Sequence, residues 1–173
     1  MFFAFWPPAG WVQPLMQAAA PVVAQAGGRT MQSSDMHVTL CFLGSVDESR
    51  IEALRARVAA VRAGALTLRF DRIEFWREPR VLVATAQPTA AGLALAQSLQ
   101  QAASDLGLAP DRKPWRPHMT LARSVLPKRL PPAFQSERPM PSPLRLTVSS
   151  FLLAESLIGA QRRYGTLASW PLA

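Results

Sequence analysis

Several residue types are scarce in this chain, and each scarcity excludes a class of structure. The 173 residues include one cysteine, Cys41, which excludes an intramolecular disulfide and is typical of a reducing compartment. No apolar run approaches the roughly 20 residues needed to cross a bilayer. The glycine-rich patterns that hold dinucleotides or nucleoside triphosphates are also missing. We therefore expect a cytoplasmic protein with no membrane contact and no cofactor.

Positive charge is absent from the first 28 residues. A secretory signal needs a basic region before its apolar core, and the first basic residue here is Arg29. The segment 2–26 does end in Ala24-Gln25-Ala26, which resembles a cleavage site, but four prolines interrupt it. We predict a strand over 2–6 and a helix over 11–26, with export as the alternative.

Acidic residues are few, and the net charge is +8, from 19 Lys and Arg against 11 Asp and Glu. Such an excess favours polyanionic partners such as nucleic acid, through electrostatic steering and counterion release. The alternative is an Arg- and Ala-rich composition without a binding role. The basic residues that cluster near the second motif described below are Arg112, Lys113, Arg116, Arg123, Lys128 and Arg129.

Histidine is equally scarce, and both histidines open the same four-residue pattern. His37-Val38-Thr39-Leu40 and His118-Met119-Thr120-Leu121 both read H-x-T-L with an apolar second residue. Because histidine titrates near physiological pH, a pair can hold a proton acceptor and a proton donor at one site. The repetition predicts a duplicated unit that brings two matched catalytic groups together.

Apolar residues alternate with the histidine and threonine of each motif. Because residues i and i+2 of a strand share a face, this alternation predicts a strand with one face in the core and the other in a cleft. The residues expected in the core are Val38, Leu40 and Phe42 of the first strand and Met119 and Leu121 of the second. The residues expected in the cleft are His37, Thr39, His118 and Thr120.

Two imidazoles and two hydroxyls can surround one small anion. The imidazoles can accept and donate protons beside such an anion, and the hydroxyls can donate hydrogen bonds to it. A metal site is not predicted, because the histidines are far apart in sequence and neither belongs to an H-E-x-x-H pattern.

The remaining pattern predicts an α+β fold with antiparallel sheets in one domain, 1–173. Residues 126–143 hold many prolines and are predicted to form a loop or an extended connection. The predicted helices are 11–26, about 47–63 and 89–106, and the predicted strands are 2–6, 37–43, 66–76, 80–86, 118–123, 144–153 and 164–170, the last two joined around Gly159.

These motifs resemble those of the 2H phosphoesterases, and most closely the RNA 2′,3′-cyclic phosphodiesterases, also called 2′-5′ RNA ligase-like proteins. The resemblance covers nearly the whole chain, although Cys41 and Asp35-Met36 depart from the usual residues. The segments that carry it are Met1-Phe2-Phe3-Ala4, His37-Val38-Thr39-Leu40-Cys41-Phe42-Leu43-Gly44, Pro117-His118-Met119-Thr120-Leu121-Ala122-Arg123, Phe151-Leu152-Leu153-Ala154-Glu155-Ser156 and Tyr164.

The resemblance implies two pseudo-symmetric lobes of antiparallel sheet with outer helices and a central cleft. It implies metal-independent hydrolysis of RNA 2′,3′-cyclic phosphate ends to 2′-phosphates. His37 would be the proton donor and His118 the proton acceptor, with Thr39 and Thr120 binding phosphate. The pseudo-symmetry leaves the reverse assignment of the two histidines open.

Substrate-binding residues are harder to predict. Trp115 and Trp76 are candidates to stack a nucleobase, with packing as the alternative. Arg116 is a candidate to meet a neighbouring phosphate, with a solvated loop position as the alternative. Arg123, which recurs in the family, is a candidate to contact phosphate, with a structural role as the alternative, because strand parity predicts that it points away from His118.

The expected partners are RNA ends with a 2′,3′-cyclic phosphate or related cyclic nucleotides, and the protein is expected to act as a monomer. Three alternatives stay open: a cyclic phosphodiesterase for small nucleotides, reverse joining of RNA ends through a 2′-5′ bond, and a module that binds nucleotides or RNA without turnover.

Overall fold

The structure is a computed structural model that describes residues 1–130, 137–157 and 163–172. The helices are α1 (Ala9–Ala26), α2 (Glu48–Val58) and α3 (Ala90–Asp105). The strands are β1 (Phe2–Phe5), β2 (Arg29–Thr30), β3 (Val38–Phe42), β4 (Leu66–Trp76), β5 (Val81–Ala86), β6 (His118–Arg123), β7 (Glu137–Val148), β8 (Ser150–Ser156) and β9 (Tyr164–Pro171). The α+β class is confirmed.

The strands of the described residues form one antiparallel sheet built from two halves. Its order is β7-β4-β5-β6-β3-β1-β8-β9, and the short β2 pairs with β6. The two motif strands, β3 and β6, are therefore the innermost of each four-strand half. They meet at the single pair of Val38 with Met119, both fully buried. The predicted two-lobed arrangement thus joins at the motifs.

The helices pack against the sheet and help to bury its apolar residues. α1 contacts β6 and β7, α3 contacts β3, and α2 packs on α3. Two of the three helices start at side-chain caps, since Asp47 accepts from the amide of Ser49 and Thr89 from that of Gly92. None of the described helices is both long and apolar enough to span a membrane.

The proline-rich segment is the main difference from the predicted elements. β7 begins at Glu137, inside the range predicted as a loop, and the predicted strand 144–153 is two strands separated at Ser149. Pro139, Pro141 and Pro143 fall at alternating positions of β7. Pro141 and Pro143 lie in the stretch 140–143, where the pairing with β4 is interrupted. Pro139 pairs with Arg72, and β7 is an edge strand, where proline is tolerated. Gly159, predicted to join the last strands, lies outside the described residues.

A β-bulge sits at the same position of both motifs. Two consecutive residues of β1 pair with Thr39 and Cys41, so the residue between those two is extra. Two consecutive residues of β5 pair in the same way with Thr120 and Ala122. The extra residues are the motif leucines, Leu40 and Leu121.

Each bulge inverts the inward and outward alternation of the residues beyond it. Cys41 is therefore buried, whereas Phe42 is 53% exposed, so the prediction of a core Phe42 is wrong. In β6 the same step buries Ala122 and returns Arg123 to the face of His118. The parity prediction for Arg123 is wrong for the same reason.

Candidate active site

The fold brings the two histidines of the chain to the centre of the sheet. His37 directly precedes β3 and His118 opens β6, and these strands are antiparallel neighbours. From the pairing of Val38 with Met119, antiparallel register sets His37 towards Thr120 and Thr39 towards His118. The two imidazoles are close enough that the charge of His118 lowers the pKa of His37.

Both imidazoles are held in the same tautomer. Nδ1 of His37 lies 2.8 Å from the carbonyl oxygen of Asp35, and Nδ1 of His118 lies 2.8 Å from that of Arg116. A carbonyl oxygen only accepts, so Nδ1 donates and carries the proton of the neutral ring. The lone pair is then on Nε2, the atom free for proton transfer. Each carbonyl comes from the residue two positions before its histidine, which repeats the pseudo-symmetry.

His37 lies among aromatic rings. Phe2 and Trp6 stack on the imidazole at centroid distances of 4.8 and 4.9 Å, and Tyr164 meets it edge-on at 4.9 Å. This aromatic box removes water from the ring, and burial lowers the pKa of His37 to about 4. The hydrogen bond to Asp35 opposes that shift without reversing it.

His118 lies beside a polar cluster instead. The Trp76 indole is 4.4 Å away between centroids, and the guanidinium of Arg116 lies over that indole at 4.9 Å. Arg116 forms an ion pair with Glu74. Burial is the largest cause that lowers the pKa of His118, and the charge of Arg116 lowers it further, while Glu74 raises it.

Arg123 is the cation that both histidines share. Its charge lowers the pKa of His37 and of His118. The side chain is half-buried, and its Nε is buried without a hydrogen-bond partner among the described residues. A guanidinium near two imidazoles suits a bound anion, because a negative charge there would offset the cation and favour the protonated form of either ring.

A cavity of about 510 Å³ opens beside His118. Its lining includes the candidate residues Trp76, Trp115 and Arg116 and the motif residue Thr39. The other lining residues are Leu40, Cys41, Phe42, Glu78, Gln100, Asp111, Lys113, Pro114 and His118. The volume lies in the range of small-molecule sites, which supports a nucleotide-sized ligand.

Trp115 is placed as a packing residue at the edge of this cavity. It is 8% exposed, its Nε1 donates to the carbonyl of Thr39 at 2.9 Å, and its ring meets Phe5. The ring lies so close to Gly92 that a Cβ there would come within 2.2 Å of it. This geometry favours the packing alternative and makes Trp115 a support for the first motif strand.

Sequence reasoning missed Phe42 and Glu74. Phe42 was assigned to the core because the bulge leaves no mark in the alternating pattern. Glu74 stands between Ile73 and Phe75 in a strand whose neighbours are mostly apolar, and it is 8% exposed. A carboxylate flanked by two apolar residues was the available signal, although β4 also contains Asp71. Among the described residues, no group of three or more His, Cys, Asp or Glu side chains could hold a metal ion.

Comparison with known proteins identifies the family of the chain. The family model described as the 2′-5′ RNA ligase superfamily matches residues 6–157. An RNA 2′,3′-cyclic phosphodiesterase of Bacillus subtilis is 31% identical over 121 residues, which cover 67% of this chain and 66% of that protein. The Escherichia coli protein of the same name is 28% identical, covering 99% of this chain and 96% of its own.

Solved structures of Escherichia coli LigT resemble the whole chain. The complex with 3′-AMP superposes with a TM-score of 0.85 at 28% identity and covers 99% of this chain and 96% of that one. The complex with phosphate has a TM-score of 0.81 at 27% identity, with coverage of 99% and 95%.

Proposed function

Because the chain belongs to the 2′-5′ RNA ligase superfamily, we propose that it hydrolyses RNA 2′,3′-cyclic phosphate ends to 2′-phosphates by paired histidine catalysis. The names of its relatives support a hydrolase with cyclic phosphodiesterase activity. The observation that carries the finer proposal is the matched pair of imidazoles, each with Nδ1 bonded to a backbone carbonyl and Nε2 free.

The proposed reaction is a single displacement at phosphorus. Nε2 of His118 accepts a proton from water, whose oxygen attacks the phosphorus. The bond from phosphorus to the ribose 3′-oxygen breaks, and protonated His37 gives its Nε2 proton to that oxygen. The product keeps the phosphate on the 2′-oxygen. The assignment of His37 as donor follows the family resemblance.

The threonines and Arg123 stabilise the charge that develops on phosphate. The hydroxyls of Thr39 and Thr120 donate to the non-bridging oxygens from opposite sides of the cleft. The guanidinium of Arg123 lies near both histidines and adds a positive charge. A bound phosphodiester anion also favours the imidazolium form of His37, whose pKa is low in the empty cleft.

The cavity beside His118 receives the nucleoside of the RNA end. The exposed ring of Phe42 offers a surface for a base, while Arg116 and Lys113 meet the neighbouring phosphate. These two cations and the net charge of +8 favour an RNA end over a neutral ligand.

The test is incubation with an RNA oligonucleotide that ends in a 2′,3′-cyclic phosphate, with the phosphate position read by ³¹P NMR. A 2′-phosphate supports the proposal. A 3′-phosphate would contradict the displacement described, and binding without product would indicate a non-catalytic module. A parallel arm with a 2′,3′-cyclic mononucleotide separates an RNA enzyme from one for small nucleotides.

A third arm adds EDTA. We expect activity to persist, because each proton transfer is assigned to a histidine. Activity that chelation abolishes and a divalent ion restores would contradict the metal-independent mechanism.

A further inference from the structure

Glu74 is a buried carboxylate with every oxygen in use. It is 8% exposed and lies on β4, two strands from the motif strand β6 in the order of the sheet. Its Oε1 accepts from the hydroxyl of Thr85 at 2.8 Å. Its Oε2 accepts from Nε1 of Trp76 at 2.9 Å and from Nη2 of Arg116. Three donors from three parts of the chain therefore converge on one side chain.

Two of these donors belong to the surroundings of His118. The Trp76 indole contacts the imidazole, and the Arg116 guanidinium packs over the indole. The backbone carbonyl of Arg116 also accepts from Nδ1 of His118. Glu74 thus bonds the guanidinium of Arg116 directly and also bonds the indole on which that guanidinium packs.

The charge of Glu74 is set by the same contacts. Burial alone would raise its pKa, but the hydrogen bonds from Trp76 and Thr85 and the charge of Arg116 outweigh burial and hold that pKa below its usual value. Glu74 therefore stays ionised at neutral pH and offsets the cation of Arg116 as His118 experiences it.

We propose that Glu74 is a positioning residue for His118: it clamps Trp76 and Arg116 into one wall of the cavity and balances the charge beside the imidazole. The inference rests on the proposed function, because it gives the second histidine its role as base. Arg116 then has two roles. One guanidinium nitrogen bonds Glu74, and the side chain, which is 58% exposed, lines the cavity where substrate would bind.

The charged groups that face His118 come from several elements. Arg123 lies on β6 with it, Glu74 on β4 and Arg116 two residues before it, while His37 directly precedes the neighbouring strand β3. Glu78, Asp111 and Lys113 line the cavity farther along its wall. Among these groups, Glu74 and Arg116 form the ion pair that the test variants break.

The test uses two variants with opposite expected signs. Glu74→Gln keeps the shape of the side chain but leaves the Arg116 cation uncompensated, so the pKa of His118 should fall. Arg116→Gln leaves the Glu74 carboxylate uncompensated, so the pKa of His118 should rise. Because the chain has two histidines, NMR titration of the ring protons gives two resonances, assigned with the His37→Ala variant. His37 serves as the internal control.

Opposite shifts of His118 with little change at His37 support the proposal. Shifts in the same direction, or none, overturn it and leave Glu74 as a fold-stabilising residue. If Glu74→Gln does not fold, Arg116→Gln decides alone: a rise supports the proposal, and no change or a fall overturns it. Glu52→Gln is the matched control, because it removes an exposed Glu–Arg ion pair on α2.

Kinetics add a second readout. Glu74→Gln should lower kcat/KM for the RNA end roughly tenfold, because the wall beside the base is no longer held in place. The acid limb of its pH profile should move to lower pH in step with the pKa of His118. The NMR result needs no turnover, so failure of the proposed function (an inactive wild type) is distinguishable from failure of this inference (an active wild type with unchanged His118 titration in both variants).

Discussion

The two halves of the sheet present the same motif in different surroundings. Strand position, bulge, tautomer and the carbonyl two residues before the histidine are repeated around His37 and His118. The side chains around the two imidazoles differ. His37 lies in the aromatic box of Phe2, Trp6 and Tyr164, whereas His118 lies beside the polar cluster that contains Glu74 and Arg116. Backbone repetition thus sets where the catalytic atoms lie, while the surrounding side chains set pKa and access.

Access also differs between the halves. The cavity of about 510 Å³ is lined by His118, whereas a second cavity of about 390 Å³ lies behind the aromatic box and is lined by Trp6 and Tyr164. The first cavity can deliver a nucleoside directly to a catalytic ring. Under the proposed function, this difference favours substrate binding on the side of His118, while His37 is shielded from water on its aromatic side.

The largest expected effect tests whether the two halves are equally necessary. His37→Ala and His118→Ala should each lower kcat by roughly 10²–10⁴, because each removes one proton-transfer partner. The double variant should cost far less than the product of the single effects, since the pair acts as a unit. Steady-state assays on an RNA cyclic phosphate, with circular dichroism as the control for folding, check this. A folded single variant with near-full activity would contradict paired catalysis.

The threonines should show the same symmetry at smaller cost. Thr39→Val and Thr120→Val should each lower kcat by roughly 10–10³, because each removes one donor to the phosphate while the others remain. Serine at either position keeps the hydroxyl and is the matched control. If valine and serine variants behave alike, the hydroxyls do not contact the reacting phosphate.

The sequence was sufficient for the features that repeat. Two H-x-T-L segments with alternating apolar residues predicted a strand at each motif, and Val38 and Met119 are buried as expected. Caps such as Thr89 also follow local rules, because the hydroxyl bonds an amide three residues away.

What could not be predicted depends on pairing between distant strands. The bulges at Leu40 and Leu121 exist only because β1 and β5 impose their own register, and they alone turn Phe42 and Arg123 to the cleft. β7 is a strand despite its prolines because it is an edge strand and its pairing with β4 is interrupted over 140–143, where two of the prolines lie. Such facts are properties of the assembled sheet and leave no periodicity in one segment.

The pH dependence of stability should separate the halves further. The pKa of His37 in the folded protein is about 4, below the ordinary 6.5. As pH falls, the imidazole is therefore protonated in the unfolded chain before it is protonated in the folded protein. The stability linked to His37 is then complete above pH 6.5 and is lost as pH falls from 6.5 towards 4. The free energy of unfolding should therefore drop between pH 7 and pH 5 in the wild type, as measured by urea denaturation.

The matched variant for that experiment is His37→Phe, which keeps a ring in the aromatic box but cannot titrate. Its stability should fall less between pH 7 and pH 5 than that of the wild type. Equal slopes would mean that the box does not desolvate the imidazole.

Phe42 and Arg123 occupy equivalent positions after the two bulges. Substitution of Phe42 should have a smaller effect, and it separates a change in substrate binding (KM) from a change in turnover (kcat). Phe42→Ala should raise KM for the RNA end roughly 3–10-fold with little change in kcat, because one base-stacking surface is lost. Phe42→Leu, which keeps apolar bulk without a ring, is the control. A fall in kcat at unchanged KM would place Phe42 in support of the strand instead.

The smallest expected effect concerns the basic rim of the cavity on the side of His118. Lys113 is highly exposed and lines that cavity, so it meets RNA through screened charge. Lys113→Gln should raise KM for the oligonucleotide about twofold at low salt, and the difference should vanish near 0.5 M salt, where the screening length is only a few ångströms. The cyclic mononucleotide has no neighbouring phosphate, so its KM should change little in the variant and depend less on salt in the wild type. Equal salt dependence for both substrates would mean that the net charge of +8 reflects composition and that the half of His118 has no electrostatic preference for RNA.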